Sequence, residues 1–96
     1  MMANEFPQVM TIGGTDSDGS AGVQADLHSF FMRGVYGATV LTAAVAGNSY
    51  GIQDSMVMPV PFIDAQFKSL AADLKIKAAK TGMLADKALV LSLIHI

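Results

Sequence analysis

The chain of 96 residues contains no cysteine and little charge. Without cysteine it can form neither a disulfide framework nor a cysteine-based zinc site, which is consistent with a reducing compartment. Six basic and eight acidic residues give a net charge of −2, so no basic surface suited to a nucleic-acid backbone is expected. Long apolar runs are missing as well, and the polar start with Glu5 differs from a signal peptide. We therefore expect a cytoplasmic protein that binds neither nucleic acid nor membranes.

Hydrophobic residues make up 52% of the chain, enough for one folded domain or a part of one. Four short runs of apolar and β-branched residues predict strands, at 9–13, 38–46, 53–58 and 75–80. Two apolar stripes at helical spacing predict helices: Val23, Leu27, Phe30 and Phe31, then Ile63, Phe67, Leu70 and Leu74. Gly34 would end the first helix, and another helix would begin at Asp86. This order predicts an α/β fold with a mainly parallel sheet.

The segment TIGGTDSDGSAGVQADL, residues 11–27, places a glycine-rich loop between the first strand and the first helix. It has the glycine spacing of a Walker A loop but no lysine, because Ser20 and Ala21 follow Gly19. An EF-hand calcium loop would need oxygen ligands where Gly14 and Ala25 stand. Two interpretations stay open. The loop either lets a ligand approach its backbone, or it is a plain turn with aspartate or serine as the helix N-cap.

Two other segments are expected to follow strands, at 45–49 and 80–84. The carboxyl ends of parallel strands meet at one edge of the sheet, where open α/β proteins bind ligands. Asp26 borders the buried stripe of the first helix and either accepts hydrogen bonds from a polar ligand or belongs to a solvated face. No nucleophile–base set or metal-ligand cluster accompanies these loops, so the residues alone predict a small-ligand pocket.

Four motifs in order, TIGGTDSDGSAGVQADL, GVYG, TAAVAGNS and AAKTGML, resemble the hydroxymethylpyrimidine/phosphomethylpyrimidine kinases of thiamin biosynthesis. The closely related pyridoxine/pyridoxal kinases share the pattern, and both belong to the ribokinase-like superfamily. The resemblance extends from about residue 10 to about residue 84. It implies a three-layer α/β/α fold, phosphorylation of a pyrimidine alcohol and its monophosphate with ATP and Mg²⁺, and a homodimeric full-length enzyme.

The resemblance also implies which residues hold the substrate. Gly14 and Ala21 would line the pyrimidine, Asp26 would form a hydrogen bond with it, and Val45 and Met83 would pack against the ring. The complete predicted set is Gly14, Asp16, Ala21, Asp26, Val45, Gly47 and Met83.

Two departures from the family pattern affect these expectations. Most such kinases carry glutamine in a motif A-x-x-A-Q-N, where this chain has Gly47, so a pyridoxine/pyridoxal kinase is the alternative. No G-x-G-D motif occurs, and family members are more than twice as long. We expect residues 1–90 to be the N-terminal part of a kinase domain and 91–96 (LSLIHI) to be a non-native tail. The catalytic base and anion hole would lie beyond residue 96, which makes an inactive substrate-binding fragment a further interpretation.

Overall fold

The computed structural model describes residues 6–82, which form four strands and two helices. The elements are β1 (Gln8–Gly14), α1 (Gly22–Met32), β2 (Tyr36–Asn48), β3 (Gly51–Val57), α2 (Val60–Asp73) and β4 (Ile76–Thr81). The strands lie in the order β3-β2-β1-β4. β1 is parallel to β2 and β4, whereas β3 is antiparallel to β2. The predicted α/β order and mainly parallel sheet are therefore confirmed. The helix predicted from Asp86 lies outside the described residues.

The two helices cover opposite faces of the sheet. Thr11 of β1 forms a hydrogen bond with Asp26 of α1, whereas the next residue, Ile12, clusters with Ile63 of α2. Because successive side chains of a strand point to opposite faces, α1 and α2 enclose the sheet from its two sides. Ile12, Val40 and Ile63 form the buried core on the α2 face. The three-layer arrangement expected from the resemblance is confirmed.

Most of the predicted apolar stripe of α1 is in place. Val23 is buried, and Leu27 and Phe30 are half-buried, but Phe31 is 83% exposed, so its assignment to the stripe is wrong. On a helix that turns about 100° per residue, Phe31 lies about 80° from Val23 and so falls at the margin of the stripe. The helix ends as expected, with Gly34 at φ +74° directly after the C-cap.

The segment after the predicted second strand differs from expectation. We predicted a loop at 45–49, but β2 continues to Asn48, which pairs with Gly51 across a tight hairpin. β1 ends at Gly14, paired with Ala43, so the last residues of β2 extend beyond the carboxyl end of β1. They remain a strand because β3 supplies their antiparallel partner. The carboxyl edge of the sheet is therefore bordered by a β-hairpin on one side and by the glycine loop on the other.

Candidate ligand-binding site

A cavity of about 490 Å³ opens at the carboxyl edge of β1, β2 and β4. This volume lies within the range of pockets that take small molecules. Six of the seven predicted substrate residues line it: Gly14, Asp16, Ala21, Asp26, Val45 and Gly47. The seventh, Met83, lies outside the described residues. The structure thus brings the glycine loop together with residues of the segments 45–49 and 80–82 at the edge where the strand ends were expected to meet.

The carboxylate of Asp16 orders the glycine loop from within. It accepts hydrogen bonds from the backbone N–H of Asp18 (3.3 Å), the hydroxyl of Ser20 (3.3 Å) and the backbone N–H of Ala21 (3.0 Å). Ala21 is the N-cap of α1 and provides no side-chain cap, so the interpretation with aspartate or serine as N-cap is wrong. Instead, the backbone N–H of Ala21 donates to the carboxylate of Asp16, five positions earlier in the chain. Its carboxylate therefore serves the shape of the loop, and its predicted contact with substrate stays a prediction.

Gln24 holds the same loop through its backbone. Its side-chain Nε2 donates to the carbonyl oxygen of Asp16 at 2.7 Å, and its Oε1 accepts from the N–H of Asp16 at 2.9 Å. Both polar groups of the amide are used, which fixes the loop against the first turn of α1. Gln24 was not among the predicted site residues, because a glutamine in an amphipathic helix gives no signal of its own.

Gly22 allows α1 to begin directly against the loop. Its φ is +68°, and a Cβ at this position would lie 2.7 Å from the carbonyl oxygen of Gly14 and 3.1 Å from the N–H nitrogen of Asp16. An L-residue would meet both backbone strain and a steric clash here. The fourth glycine of the motif is thus required by close backbone packing.

The glycine loop is also fastened to the hairpin. The backbone N–H of Thr15 donates to the carbonyl oxygen of Ala43 at 2.9 Å, and the Thr15 hydroxyl accepts from the N–H of Val45 at 2.9 Å. Ser17 makes a similar connection to Gly47 nearer the solvent. These contacts turn the loop and the end of β2 into one continuous wall of the cavity.

Asp26 is a negatively charged residue in the lining of the cavity. Its Oδ2 accepts hydrogen bonds from the hydroxyl of Thr11 at 2.7 Å and from Nζ of Lys80 at 2.9 Å. Burial by itself would raise the pKa of Asp26. The hydrogen bonds from Thr11 and Lys80, together with the positive charge of Lys80, outweigh burial, so the pKa lies below its ordinary value of 3.8. Asp26 is therefore an ionised hydrogen-bond acceptor at neutral pH.

Lys80 was not among the predicted site residues, although the motif AAKTGML contains it. It occupies the next-to-last position of β4 and lines the cavity. Its position at the end of a predicted strand could have identified it, because residues 80–84 were already expected at the carboxyl edge of the sheet.

The chain belongs to the class of ribokinase-like kinases by its fold. It superimposes on the phosphomethylpyrimidine kinase of Clostridium difficile with a TM-score of 0.89 and 34% identity, covering 93% of this chain and 38% of that one. A Bacillus subtilis pyridoxal kinase, solved as an ADP complex, gives a TM-score of 0.84 and 35% identity over 94% of this chain and 34% of that one.

More narrowly, the chain belongs to the phosphomethylpyrimidine kinase family, whose sequence model matches residues 16–95. It is 45% identical to the hydroxymethylpyrimidine/phosphomethylpyrimidine kinase of Streptomyces coelicolor over 88% of this chain and 31% of that protein. It is 46% identical to a chloroplastic thiamine biosynthetic bifunctional enzyme of Arabidopsis thaliana over 83% of this chain and 15% of that protein. The chain thus spans less than a third of the length of these curated relatives.

Proposed function

We propose that the protein carrying this chain phosphorylates 4-amino-5-hydroxymethyl-2-methylpyrimidine and its monophosphate with ATP. The described residues supply the pocket for the pyrimidine alcohol. The observation that supports this most is the cavity at the carboxyl edge, because six of the seven predicted substrate residues line it together. The relatives named as kinases of these pyrimidines support the same substrate class.

The pocket suits a flat heteroaromatic alcohol. Ala21 and Val45 offer small apolar surfaces, and Gly14 allows a ring to approach the backbone of β1. Asp26 offers an ionised acceptor for a donor group of the ring. Phosphoryl transfer depends largely on the positioning and electrostatic stabilisation of the reacting groups. In this proposal the described residues orient the acceptor alcohol, and none of them is assigned as base or anion hole.

ATP and Mg²⁺ are part of the proposal, but the described residues do not form a site for the metal. Among residues 6–82, no group of three or more histidine, cysteine, aspartate or glutamate residues is arranged to hold a metal ion. The carboxylate of Asp16 is engaged by the loop, and Oδ2 of Asp26 is engaged by Thr11 and Lys80. We therefore place neither the nucleotide nor the metal on these residues.

The proposal also places the protein in the cytoplasm as a homodimer that binds neither nucleic acid nor membranes. Across residues 6–82, neither helix has the length and apolar character needed to cross a membrane. Sedimentation velocity of the intact gene product measures its assembly, and a single species with the mass of one chain would contradict the dimer.

The experiment on activity uses the intact gene product with ATP and each pyrimidine in turn. ADP release and the phosphorylated product are measured together, and we expect them in equal amounts. Asp26→Asn is expected to raise KM for the pyrimidine alcohol. Asp73→Asn, at the end of α2 and outside the cavity, is the matched control with unchanged kinetics. Absence of phosphorylated product from both pyrimidines would refute the proposal.

Pyridoxine or pyridoxal is the second candidate substrate, and Gly47 is the observation that favours it. Glycine cannot supply the amide that most pyrimidine kinases of this family carry at this position, and Gly47 lines the cavity. The relation to pyridoxal kinases of known structure is consistent with this candidate. A comparison of kcat/KM for the pyrimidine alcohol and for pyridoxine decides between the two.

A further inference from the structure

An ion pair connects the end of β4 with α1 across the floor of the cavity. Nζ of Lys80 lies 2.9 Å from Oδ2 of Asp26, and the two residues are 54 positions apart in the chain. The hydroxyl of Thr11, whose residue is fully buried, donates to the same oxygen at 2.7 Å. One carboxylate oxygen therefore receives two donors from two neighbouring strands.

Stabilisation of the fold is a poor explanation for this ion pair. The side chain of Lys80 is 52% exposed, and ion pairs that are open to solvent contribute about 0–1 kcal/mol to folding. Its effect on Asp26 is more specific. The two hydrogen bonds that Oδ2 accepts hold the carboxylate in one orientation. Oδ1 accepts no hydrogen bond from any described residue. Both residues line the cavity.

We propose that Lys80 is a positioning residue for ligand recognition. Together with Thr11 it fixes the carboxylate of Asp26, so that Oδ1 accepts a hydrogen bond from an N–H or O–H group of the bound heteroaromatic alcohol. This inference depends on the proposed function and deepens it, because it assigns to the ligand a donor edge facing α1. A ligand that presents only acceptor atoms at that edge would meet a negative charge without a hydrogen bond.

The intact gene product and three variants test the role of Lys80. Lys80→Met removes the charge and keeps much of the chain length, and Lys80→Arg keeps the charge. Lys77→Met removes a lysine from the same strand outside the cavity and is the matched control. We expect Lys80→Met to raise KM for the pyrimidine alcohol about tenfold, with kcat changed less than about threefold. Lys80→Arg should recover most of the loss, and Lys77→Met should behave as wild type.

The pH profile provides a readout that a purely structural role would not change. Among residues 6–82, the charged residues that line the cavity are Asp16, Asp26 and Lys80, and neither β1 nor β2, on which α1 packs, contains a charged residue. Loss of the lysine should therefore raise the pKa of Asp26 and move the acid limb of kcat/KM to higher pH in Lys80→Met. The acid limb of kcat/KM in Lys77→Met should lie at the same pH as in the wild type. Melting curves of all variants report whether they fold.

Two kinetic outcomes would overturn the proposal. One is a Lys80→Met enzyme with the KM and acid limb of the wild type. The other is a fall in kcat at unchanged KM, which would place Lys80 on the transferred phosphoryl group. If the wild-type protein phosphorylates neither pyrimidine, the proposed function fails first. Calorimetric binding of the pyrimidine alcohol to wild type and Lys80→Met then tests the positioning role separately, and equal affinities or no binding would overturn it.

Discussion

The hydroxyl of Ser17 accepts a hydrogen bond from the backbone N–H of Gly47 and donates one to its carbonyl oxygen, each 2.7 Å long. A single side chain thus joins the glycine loop to the hairpin, across 30 positions of sequence. Ser17 is exposed and Gly47 is half-buried, so this contact lies at the rim of the cavity. It completes the wall of the cavity, whose deeper part is formed by the hydrogen bonds of Thr15 to β2.

Removal of this hydroxyl should weaken both folding and binding by a modest amount. Ser17→Ala leaves the polar groups of Gly47 to water, so we expect a loss of about 0.5–1.5 kcal/mol in the free energy of unfolding. Loosening of the rim should raise KM for the pyrimidine alcohol about fivefold, which corresponds to ~1 kcal/mol. Urea unfolding and steady-state kinetics measure the two effects. Ser17→Thr keeps the hydroxyl and should stay near wild type. Unchanged KM in Ser17→Ala would show that the rim contact has no part in binding.

Substitutions at two glycines of the loop allow the cost of backbone strain to be measured apart from the cost of a steric clash. Gly19 and Gly22 both have positive φ, +83° and +68°, but a Cβ at Gly19 meets nothing within 4 Å, whereas at Gly22 it meets the Gly14 carbonyl at 2.7 Å. Gly19→Ala should cost about 1–2 kcal/mol of unfolding free energy, the cost of a left-handed L-residue. Gly22→Ala should cost at least about 2 kcal/mol more, because the start of α1 has to move. Urea unfolding curves compare them, and equal losses would contradict this account.

The sequence predicted the parts of the fold that depend on local periodicity. The stripe of α2 is confirmed, since Ile63 is fully buried and Phe67 and Leu70 pack against the core. The end of β2 was predicted wrongly because Gly47 is a turn signal in isolation, and its place in a strand depends on pairing with β3. A partner strand that arrives later in the chain overrides local propensity.

The candidate site was likewise predictable from the sequence only in part. Gly14 and Val45 were expected to meet because strand ends in a parallel sheet share an edge, and both line the cavity. The roles of Gln24 and Lys80 could not be predicted from their spacing. Gln24 acts on a loop backbone eight residues earlier, and Lys80 acts on a carboxylate 54 residues earlier. Such contacts arise only when the tertiary fold has set the side chains opposite each other.

The lowered pKa of Asp26 predicts how stability changes in acid. A carboxyl whose pKa in the folded state lies below its ordinary value of 3.8 stabilises the fold above that value, and this contribution is lost as pH falls through the folded pKa. Unfolding free energies of wild type and Asp26→Asn should therefore differ by a constant amount from pH 7 to about pH 5. The difference should shrink below about pH 4. Urea titrations at four pH values measure it, and a difference that persists undiminished to pH 2 would contradict the assignment.

A side chain at position 47 should change which alcohol the protein prefers. Gly47 is not among the glycines with positive φ, and a Cβ there would lie 3.2 Å from the Gly51 carbonyl oxygen, so a shift of a few tenths of an ångström accommodates it. Because Gly47 lines the cavity, we expect the amide of Gly47→Gln to reach it and to pair with the polar edge of a pyrimidine. We expect kcat/KM for the pyrimidine alcohol to rise relative to that for pyridoxine by about fivefold, the equivalent of one added hydrogen bond.

Gly47→Ala is the matched control for this substitution, because it adds the Cβ without the amide. It should lower kcat/KM for both alcohols by a similar factor through the contact with the hairpin backbone. The ratio of the two kcat/KM values, measured with both alcohols in competition, isolates the contribution of the amide. If Gly47→Gln and Gly47→Ala give the same ratio, position 47 acts only through its bulk and does not select the ring by hydrogen bonding.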